Sequence, residues 1–215
     1  MNKMNSMEAF LKIDLYPVIS SEFCGGKNPI EVLRQIADGG AKIVQMREKN
    51  IDDEHFILLA EEFRKITLEY KMLLIINDRV EIALRIGADG VHLGQDDMPL
   101  GIAKKLGPAL LFGLSTHSLE EVVNAQNDNA DYINIGPLFS TATKTLGMSP
   151  LGIDSLKKII PSVTVPFTVM GGIKEKHIAE LLTLNASRIA MVTEITQASN
   201  ISEKVKHLRT LWGKE

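Results

Sequence analysis

The feature that most constrains the fold of this chain is the regular alternation of short apolar segments with longer amphipathic ones. Eight apolar segments of five or six residues occur along its 215 residues. Runs of this length and composition are typical of strands that are buried on both faces of a parallel sheet. They are Leu15–Ser20, Ile43–Glu48, Leu73–Asp78, Gly90–Gly94, Leu111–Thr116, Tyr132–Pro137, Phe167–Gly172 and Arg188–Thr193.

Each apolar segment is followed by a stretch in which apolar residues recur at helical spacing. Asp52 and Ser118 stand where the N-caps of two of these helices are expected. The predicted helices are Pro29–Asp38, Asp52–Lys71, Val80–Ile86, Leu100–Leu106, Ser118–Gln126, Ile153–Ile160, Lys174–Leu184 and Ser202–Trp212.

Eight strand–helix pairs in one chain predict a single (β/α)8 TIM barrel with eight parallel strands, spanning residues 1–215. A doubly wound open sheet is the alternative arrangement of the same elements. We expect residues 1–14 to form an N-terminal extension or a helix. The segment 139–152 is long and rich in Ser, Thr and Gly, which predicts a mobile active-site loop.

Composition and charge exclude several classes of function. The net charge of −3 and the pI near 6.0 disfavour a nucleic-acid-binding protein, which usually carries a basic excess. No apolar run approaches the roughly 18 residues that a membrane helix needs, and the N-terminus does not resemble a signal peptide. Cys24 is the single cysteine, which favours a reducing compartment. We therefore expect a cytoplasmic protein that acts on small molecules, and its oligomeric state is left open.

Polar residues are concentrated where the predicted strands end, which is where TIM barrels carry their active sites. Gln45, Arg47 and Lys49 alternate with Met46 and Glu48, so that the first three share one face of the second strand. No acid on that face neutralises the two cations, which predicts an anionic ligand. The alternative is that both charges are solvated at the end of the strand.

Two carboxylates follow the third and fourth strands. Asp78 ends the sequence Ile75–Asp78, and Asp97 ends the sequence Gly94–Asp97. Because neighbouring parallel strands end at the same edge, the two aspartates could share a Mg²⁺ ion, which commonly takes one or two carboxylates and a substrate phosphate. The alternative is that each aspartate caps the helix that follows it.

The remaining strand ends predict hydroxyl and backbone donors for a second anion. Their glycines would let backbone N–H groups approach an oxyanion, and loops after the seventh and eighth strands often bind phosphate in these barrels. A diphosphate with Mg²⁺ suits a first site that contains Arg47 and Lys49, and a monophosphate suits the second. The first site would add Asn77, Ser115 and Lys144, and the second would contain Thr141, Thr143, Gly172, Val192 and Thr193.

The histidines are interpreted mainly as structural residues. His92 lies inside the fourth predicted strand, which favours a packed or hydrogen-bonded core residue over a catalyst. His117 follows Ser115 by two positions and could position Ser115 without itself contacting a ligand. His55, His177 and His207 fall on predicted helices, and we expect them to face solvent.

Taken in order, these motifs resemble those of the thiamine phosphate synthase family from about Leu15 to Asn200. Seven pieces occur in register at sensible spacing, which makes the resemblance specific. They are Gln45–Lys49, Asn77–Arg79, His92–Asp97, Ser115–His117, Gly136–Pro137 with Thr141–Lys144, Gly171–Ile173 and Val192–Thr193. Met46, Met170, Thr193 and Asn134 depart from the usual pattern, although none of them removes a ligand.

The resemblance implies a Mg²⁺-dependent transferase on a (β/α)8 barrel, which joins hydroxymethylpyrimidine diphosphate to thiazole phosphate. It implies that the C–O bond to diphosphate ionises first and that the thiazole nitrogen then attacks a pyrimidine carbocation. Arg47, Lys49, Lys144 and Ser115 would be catalytic. The pyrimidine diphosphate would be held by Gln45, Arg47, Lys49, Asn77, Ser115 and Lys144; the thiazole phosphate by Thr141, Thr143, Gly172, Val192 and Thr193; and Mg²⁺ by Asp78 and Asp97.

Three other functions stay open on a barrel of this kind. A thiazole tautomerase would need an acid–base residue and no diphosphate site. A regulatory protein of the thiamine pathway would bind ligand without turnover. A phosphosugar isomerase or a Schiff-base aldolase would use Lys49 or Lys144 as its reactive amine. Release of diphosphate from the two proposed substrates distinguishes the synthase from the tautomerase. Ligand binding without turnover would favour the regulatory protein, and borohydride trapping of a substrate adduct would support the third function.

Overall fold

The computed structural model describes residues 3–141 and 149–213. Its strands form a closed parallel barrel in the order of the sequence, in which β8 pairs with β1. The predicted TIM barrel is therefore confirmed, and the open sheet is excluded. The strands are β1 (Leu15–Ile19), β2 (Ile43–Met46), β3 (Leu73–Asn77), β4 (Gly90–Leu93), β5 (Leu111–Thr116), β6 (Tyr132–Ile135), β7 (Phe167–Val169) and β8 (Ile189–Met191).

The helices surround the barrel and begin where the sequence supplies a cap. Asn28, Asp52 and Ser118 each accept a hydrogen bond from a backbone N–H of the first helical turn. The helices are α1 (Lys3–Leu11), α2 (Pro29–Asp38), α3 (Asp53–Glu69), α4 (Val80–Ile86), α5 (Leu100–Leu106), α6 (Leu119–Asn127), α7 (Gly152–Ile159), α8 (Ile178–Thr183), α9 (Thr193–Thr196) and α10 (Ile201–Thr210). No helix of the described ranges is long and apolar enough to cross a bilayer.

Most strands end earlier than the apolar pattern predicts. β7 ends at Val169 instead of Gly172, because Gly171 and Gly172 turn the chain with φ angles of 99° and 61°. The predicted helix Lys174–Leu184 likewise begins as a 3-10 turn over Glu175–His177 before α8. The loops at the carboxyl end of the barrel are therefore longer than predicted, and they contain polar residues that were expected in the strands.

The core has two layers. The larger layer lies between the strands and the surrounding helices and includes Phe56, Phe63 and Phe112. The smaller layer fills the barrel itself, where the ring of Phe10 from α1 lies 4.3 Å from that of Tyr132. Arg188, just before β8, donates to the Phe10 and Leu11 carbonyls. Helix α1 therefore closes the end of the barrel at which the strands begin.

Three aspartates stabilise that same end. Asp14, Asp89 and Asp131 each precede a strand and accept a hydrogen bond from the backbone N–H of Leu15, Leu74 and Phe112, respectively. Each also pairs with a cation: Arg209, Arg64 and Lys3, respectively. In TIM barrels this end carries stability, whereas the opposite end carries the active site.

Candidate active site at the carboxyl end of the barrel

The end of β2 sends alternate side chains to opposite sides, as its sequence predicts. Gln45 is buried and donates from its amide nitrogen to the Tyr16 hydroxyl inside the barrel, at 3.1 Å. Glu48 points the other way and accepts two 2.7 Å hydrogen bonds from the backbone N–H and the hydroxyl of Ser21. Glu48 therefore holds the loop after β1. It is the acid nearest to Arg47 and Lys49 in the sequence, but its carboxylate is directed to Ser21 instead.

Arg47 and Lys49 differ in their partners. Lys49 forms an ion pair with Asp78 from the end of β3. The Arg47 side chain is half-buried, and none of the ion pairs formed within the described ranges includes it. A partly desolvated guanidinium in this state is suited to an anionic ligand.

Asp78 and Asp97 lie close enough to share a hydrogen bond when one of them is protonated. Asp78 directly follows β3 with a φ angle of 62°, a left-handed conformation that aspartate adopts more readily than most residues. Asp97 folds back so that its Oδ2 accepts the Gly94 N–H at 2.6 Å. A Cβ atom at position 94 would lie 2.9 Å from that oxygen, so the glycine makes room for the carboxylate.

The capping alternative for these aspartates is excluded. Arg79 and Pro99 are the N-cap residues of α4 and α5, and neither of these helices has a side-chain cap. The two carboxylates are turned toward each other and toward Lys49 instead.

The contact shifts the pKa values of the two carboxyl groups in opposite directions. The pKa of Asp78 is raised to about 6, first by burial and then by the hydrogen bond with Asp97, while Lys49 opposes the shift. Burial acts to raise the pKa of Asp97 as well, but hydrogen bonds with Asp78 and Gly94 and the charge of Lys49 lower it on balance. When no cation is bound, the pair therefore holds one shared proton below about pH 6 and loses it as the pH rises toward neutral.

The donor set fits a hard divalent cation of the Mg²⁺ type. Two carboxylates in contact provide oxygen ligands of high charge density, and such a site is completed by substrate phosphate and water. The residues that the structure describes contain no cluster of three or more His, Cys, Asp or Glu suited to a metal.

Asn77 and Ser115 complete the same side of the mouth. The Asn77 amide nitrogen is buried and is the one side-chain polar atom among the described buried residues without a hydrogen-bond partner. A buried amide without a partner costs free energy unless a ligand satisfies it. The Ser115 hydroxyl lies 3.0 Å from His92 Nε2, whereas Thr116 is fully buried and donates to the Asn134 carbonyl. Of these two residues, Thr116 is fully buried and Ser115 is partly exposed.

The predicted second site lies at the ends of β7 and β8. Thr141, Gly172, Val192 and Thr193 line one small cavity, together with Lys174 and Glu194. Gly172 is held against the preceding loop, since a Cβ atom there would lie 2.3 Å from the Ser140 carbonyl oxygen. Glycine is therefore required both for the positive φ angle and for this close approach.

Backbone hydrogen bonds fix Thr141 beside this cavity. The N–H groups of Leu138 and Phe139 donate to the Met170 and Gly171 carbonyls, each at 2.9 Å. On the other side of the loop, the N–H groups of Leu151 and Gly152 return to the Pro137 and Leu138 carbonyls at 2.8 and 3.0 Å. Thr143 and Lys144 lie outside the described residues, so their roles stay predictions from the sequence.

Two polar networks join residues that no sequence motif brings together. Lys174, Glu175, Glu194 and Lys204 form ion pairs of 2.7–3.2 Å that tie the loop after β7 to α10. Tyr16, Tyr132 and His92 form a buried hydrogen-bonded chain between Gln45 and Ser115. The only signal of the chain in the sequence is the presence of polar residues inside predicted strands. The prediction that His177 faces solvent is wrong, because its ring is half-buried and stacks 3.8 Å from that of Phe139.

Comparison with known proteins gives one consistent family. Residues 15–195 match the family model described as thiamine monophosphate synthase. A thiamine-phosphate synthase of Dictyoglomus turgidum is 40% identical over 209 residues, which cover 97% of this chain and 94% of that protein. A thiamine-phosphate synthase of Pelotomaculum thermopropionicum is 38% identical, with 98% and 97% covered. The solved thiamine phosphate pyrophosphorylase of Pyrococcus furiosus superposes with a TM-score of 0.85 at 34% identity, with 93% and 95% covered. This chain belongs to the thiamine monophosphate synthase family.

Proposed function

We propose that this protein is a Mg²⁺-dependent thiamine phosphate synthase. It joins hydroxymethylpyrimidine diphosphate to thiazole phosphate and releases thiamine phosphate and diphosphate. The observation that carries the proposal is the contact between Asp78 and Asp97 beside Lys49, at the mouth of a barrel of this family. Two carboxylates and a lysine at one point suit a leaving group that carries both a metal ion and negative charge.

The pyrimidine diphosphate would occupy the side of the mouth formed by β2–β5. Arg47 and Lys49 would bind the diphosphate oxygens, and the unpartnered Asn77 amide would donate to the same group. Gln45 and Ser115 would contact the substrate from below, and Lys144 is assigned to this group from the sequence alone. Asp78 and Asp97 would hold Mg²⁺, which as a Lewis acid would stabilise charge on the leaving diphosphate.

The thiazole phosphate would occupy the cavity at the ends of β7 and β8. Its phosphate would receive backbone N–H groups at Gly172, Val192 and Thr193 and hydroxyl groups from Thr141 and Thr193. Thr143 joins this set from the sequence alone. This cavity and the side of the mouth formed by β2–β5 lie at the same end of the barrel, as a reaction between the two substrates requires.

The chemistry needs charge stabilisation more than proton transfer. The C–O bond between the pyrimidine methylene and diphosphate breaks, and its electron pair leaves on the diphosphate oxygen. The thiazole nitrogen then donates its lone pair to the methylene cation and forms the new C–N bond. No proton is lost, so Arg47, Lys49 and Ser115 act by binding the charge that develops on the leaving group.

A direct assay tests this function. The purified protein is mixed with both substrates, with and without Mg²⁺, and thiamine phosphate and diphosphate are measured together. We expect both products in equal amounts, only with Mg²⁺ present and only when both substrates are supplied. Binding without diphosphate release, or isomerisation of the thiazole alone, would contradict the proposal in favour of a regulatory protein or a tautomerase.

Replacing Gly172 by alanine should weaken binding of the thiazole phosphate selectively. The added Cβ would meet the Ser140 carbonyl oxygen, and alanine at a φ angle of 61° costs roughly 1–2 kcal/mol. We expect the KM for thiazole phosphate to rise about tenfold, which corresponds to about 1.4 kcal/mol, while the KM for the pyrimidine diphosphate stays near its original value. Steady-state kinetics with each substrate varied in turn measures both constants. An equal rise in both would place Gly172 outside the thiazole phosphate site.

We also propose that the protein works in the cytoplasm on small molecules, with neither nucleic acid nor membrane as a ligand. Cys24 is buried, and burial raises the pKa of its thiol to about 11, so that it is an unreactive packed residue. A single free thiol of this kind suits a reducing compartment.

A further inference from the structure

A chain of buried hydrogen bonds runs across the inside of the barrel and ends on two residues of the proposed site. We propose that this chain holds the Ser115 hydroxyl proton toward the mouth and that Tyr132 is the positioning residue that sets its direction. The inference rests on the proposed function, because it assigns Ser115 a substrate anion as its acceptor.

This chain of hydrogen bonds links five strands. Gln45 on β2 donates to the Tyr16 hydroxyl on β1, and that hydroxyl lies 3.1 Å from the Tyr132 hydroxyl on β6. The Tyr132 hydroxyl lies 3.1 Å from His92 Nδ1 on β4, and His92 Nε2 lies 3.0 Å from Ser115 Oγ on β5. Tyr16, Tyr132 and His92 are each at most 5% exposed, so solvent does not compete for these hydrogen bonds.

The donor and acceptor atoms of each side chain fix the direction in which these hydrogen bonds run. Gln45 presents its amide nitrogen to Tyr16, so the Tyr16 hydroxyl accepts there and has its own proton left for Tyr132. Tyr132 then has its proton left for His92 Nδ1. A neutral imidazole that accepts at Nδ1 must carry its proton on Nε2, which therefore donates to Ser115 Oγ. The Ser115 proton is consequently directed to another acceptor.

The opposite direction would give the wrong chemistry at the mouth. If His92 carried its proton on Nδ1, Ser115 would donate inward to Nε2 and would offer only lone pairs to a substrate. Lone pairs repel phosphate oxygens, whereas a hydroxyl proton binds them. The direction set by Gln45 and the tyrosines is thus the one that suits an anion at Ser115. It also leaves the Gln45 amide oxygen as the end that can accept from a substrate N–H.

Gly113 provides independent evidence that the contact between His92 and Tyr132 is built into the fold. A Cβ atom at position 113 would lie 2.1 Å from Tyr132 Cζ and 2.5 Å from His92 Nδ1. Its φ angle is not in the left-handed range, so the backbone does not require glycine there. The missing side chain instead leaves the space in which the two polar groups meet.

The tautomer of His92 tests the direction without any substrate. The protein labelled with ¹⁵N in its histidines is examined by long-range ¹H–¹⁵N correlation at about pH 8.5, above the ordinary histidine pKa of about 6.5. His92 is assigned by its loss in His92→Gln. We expect a protonated Nε2 and an unprotonated Nδ1, and we expect Tyr132→Phe to shift the Nδ1 signal. A protonated Nδ1 in the unsubstituted protein would overturn the inference.

A double-mutant cycle tests whether Tyr132 acts through Ser115. We expect Tyr132→Phe to lower kcat about tenfold, a loss of the order of one hydrogen bond, and to have no further effect in a Ser115→Ala background. Thr168→Val is the matched control, since it removes a fully buried hydroxyl that donates to Asn134 and lies outside this chain of hydrogen bonds. Its effect should be the same in both backgrounds.

The outcomes separate this inference from the proposed function. If Tyr132→Phe lowers kcat by the same factor with and without Ser115, its role is structural and the inference fails. If Ser115→Ala keeps full synthase activity while His92 has the expected tautomer, the assignment of Ser115 to the substrate fails, and the inference fails with it. If Ser115→Ala is impaired but Nδ1 is protonated, only the inference fails.

Discussion

Replacing Arg47 by alanine is expected to lower kcat by about 100- to 1,000-fold, the usual cost of removing one preorganised donor from a developing anion. Arg47 is half-buried at the end of β2 and has no ion pair within the described ranges, so its charge is available to a ligand. For the same reason its removal leaves no carboxylate unpaired, and the free energy of unfolding should change little. Initial rates at saturating substrate and Mg²⁺, together with denaturant unfolding, measure the two quantities.

Two further variants test whether the loss of activity in Arg47→Ala is specific to this residue. Arg85→Ala removes an exposed arginine from the last turn of α4, eight residues after the end of β3, and should leave kcat and stability unchanged. Arg47→Lys keeps the charge but loses the planar pair of donors, so its activity should fall between those of Arg47→Ala and the unsubstituted protein. Near-normal turnover of Arg47→Ala would reject the role assigned to this residue.

The second large effect is expected at the paired carboxylates. Asp78→Asn and Asp97→Asn should each raise the Mg²⁺ concentration needed for half-maximal activity about 100-fold or more, because one charge at about 4 Å is worth roughly 4 kcal/mol at an effective dielectric constant of about 20. Asparagine tolerates the left-handed conformation at position 78. Activity measured across a Mg²⁺ titration gives the result, and unchanged titrations for both variants would remove the metal from this site.

Although Asp78→Asn should lower activity, it should make the metal-free protein more stable at pH 8. The folded pKa of Asp78, about 6, lies above its ordinary value of 3.8, so the ionised carboxylate disfavours the folded state at pH 8. Removing that charge should raise the melting temperature of the metal-free protein at pH 8. The gain should shrink as the pH falls through 6 and vanish below about 3.8, where folded and unfolded carboxyl groups are both protonated. A variant that loses activity while gaining stability cannot be explained by misfolding.

Much of the fold and of the arrangement of the mouth could be predicted because both follow from local pattern. The apolar runs are short and are bounded by turn residues, and helices such as α2, α4 and α5 have the predicted bounds. The contact between Asp78 and Asp97 follows from the rule that neighbouring parallel strands end at one edge. These predictions needed only the spacing along the chain and the geometry of a parallel barrel.

Contacts between distant parts of the chain could not be predicted in this way. Tyr16 and Tyr132 are 116 residues apart, and their hydroxyl groups meet only because β1 and β6 face each other across the closed barrel. A place on a predicted helix favours a solvent-facing His177, but the stretch from Glu175 to His177 is a 3-10 turn that brings its ring onto Phe139. Side-chain direction inside the barrel and at irregular turns depends on packing that the spacing does not encode.

The return of Leu151 and Gly152 to the carbonyls of Pro137 and Leu138 has an evolutionary consequence. Because the two ends of the intervening chain are neighbours, doubling the number of residues between them would cost only about 0.6 kcal/mol of closure entropy. A change in the number of residues there therefore costs the barrel little stability. Natural selection can tune substrate preference in that stretch while the scaffold remains the same.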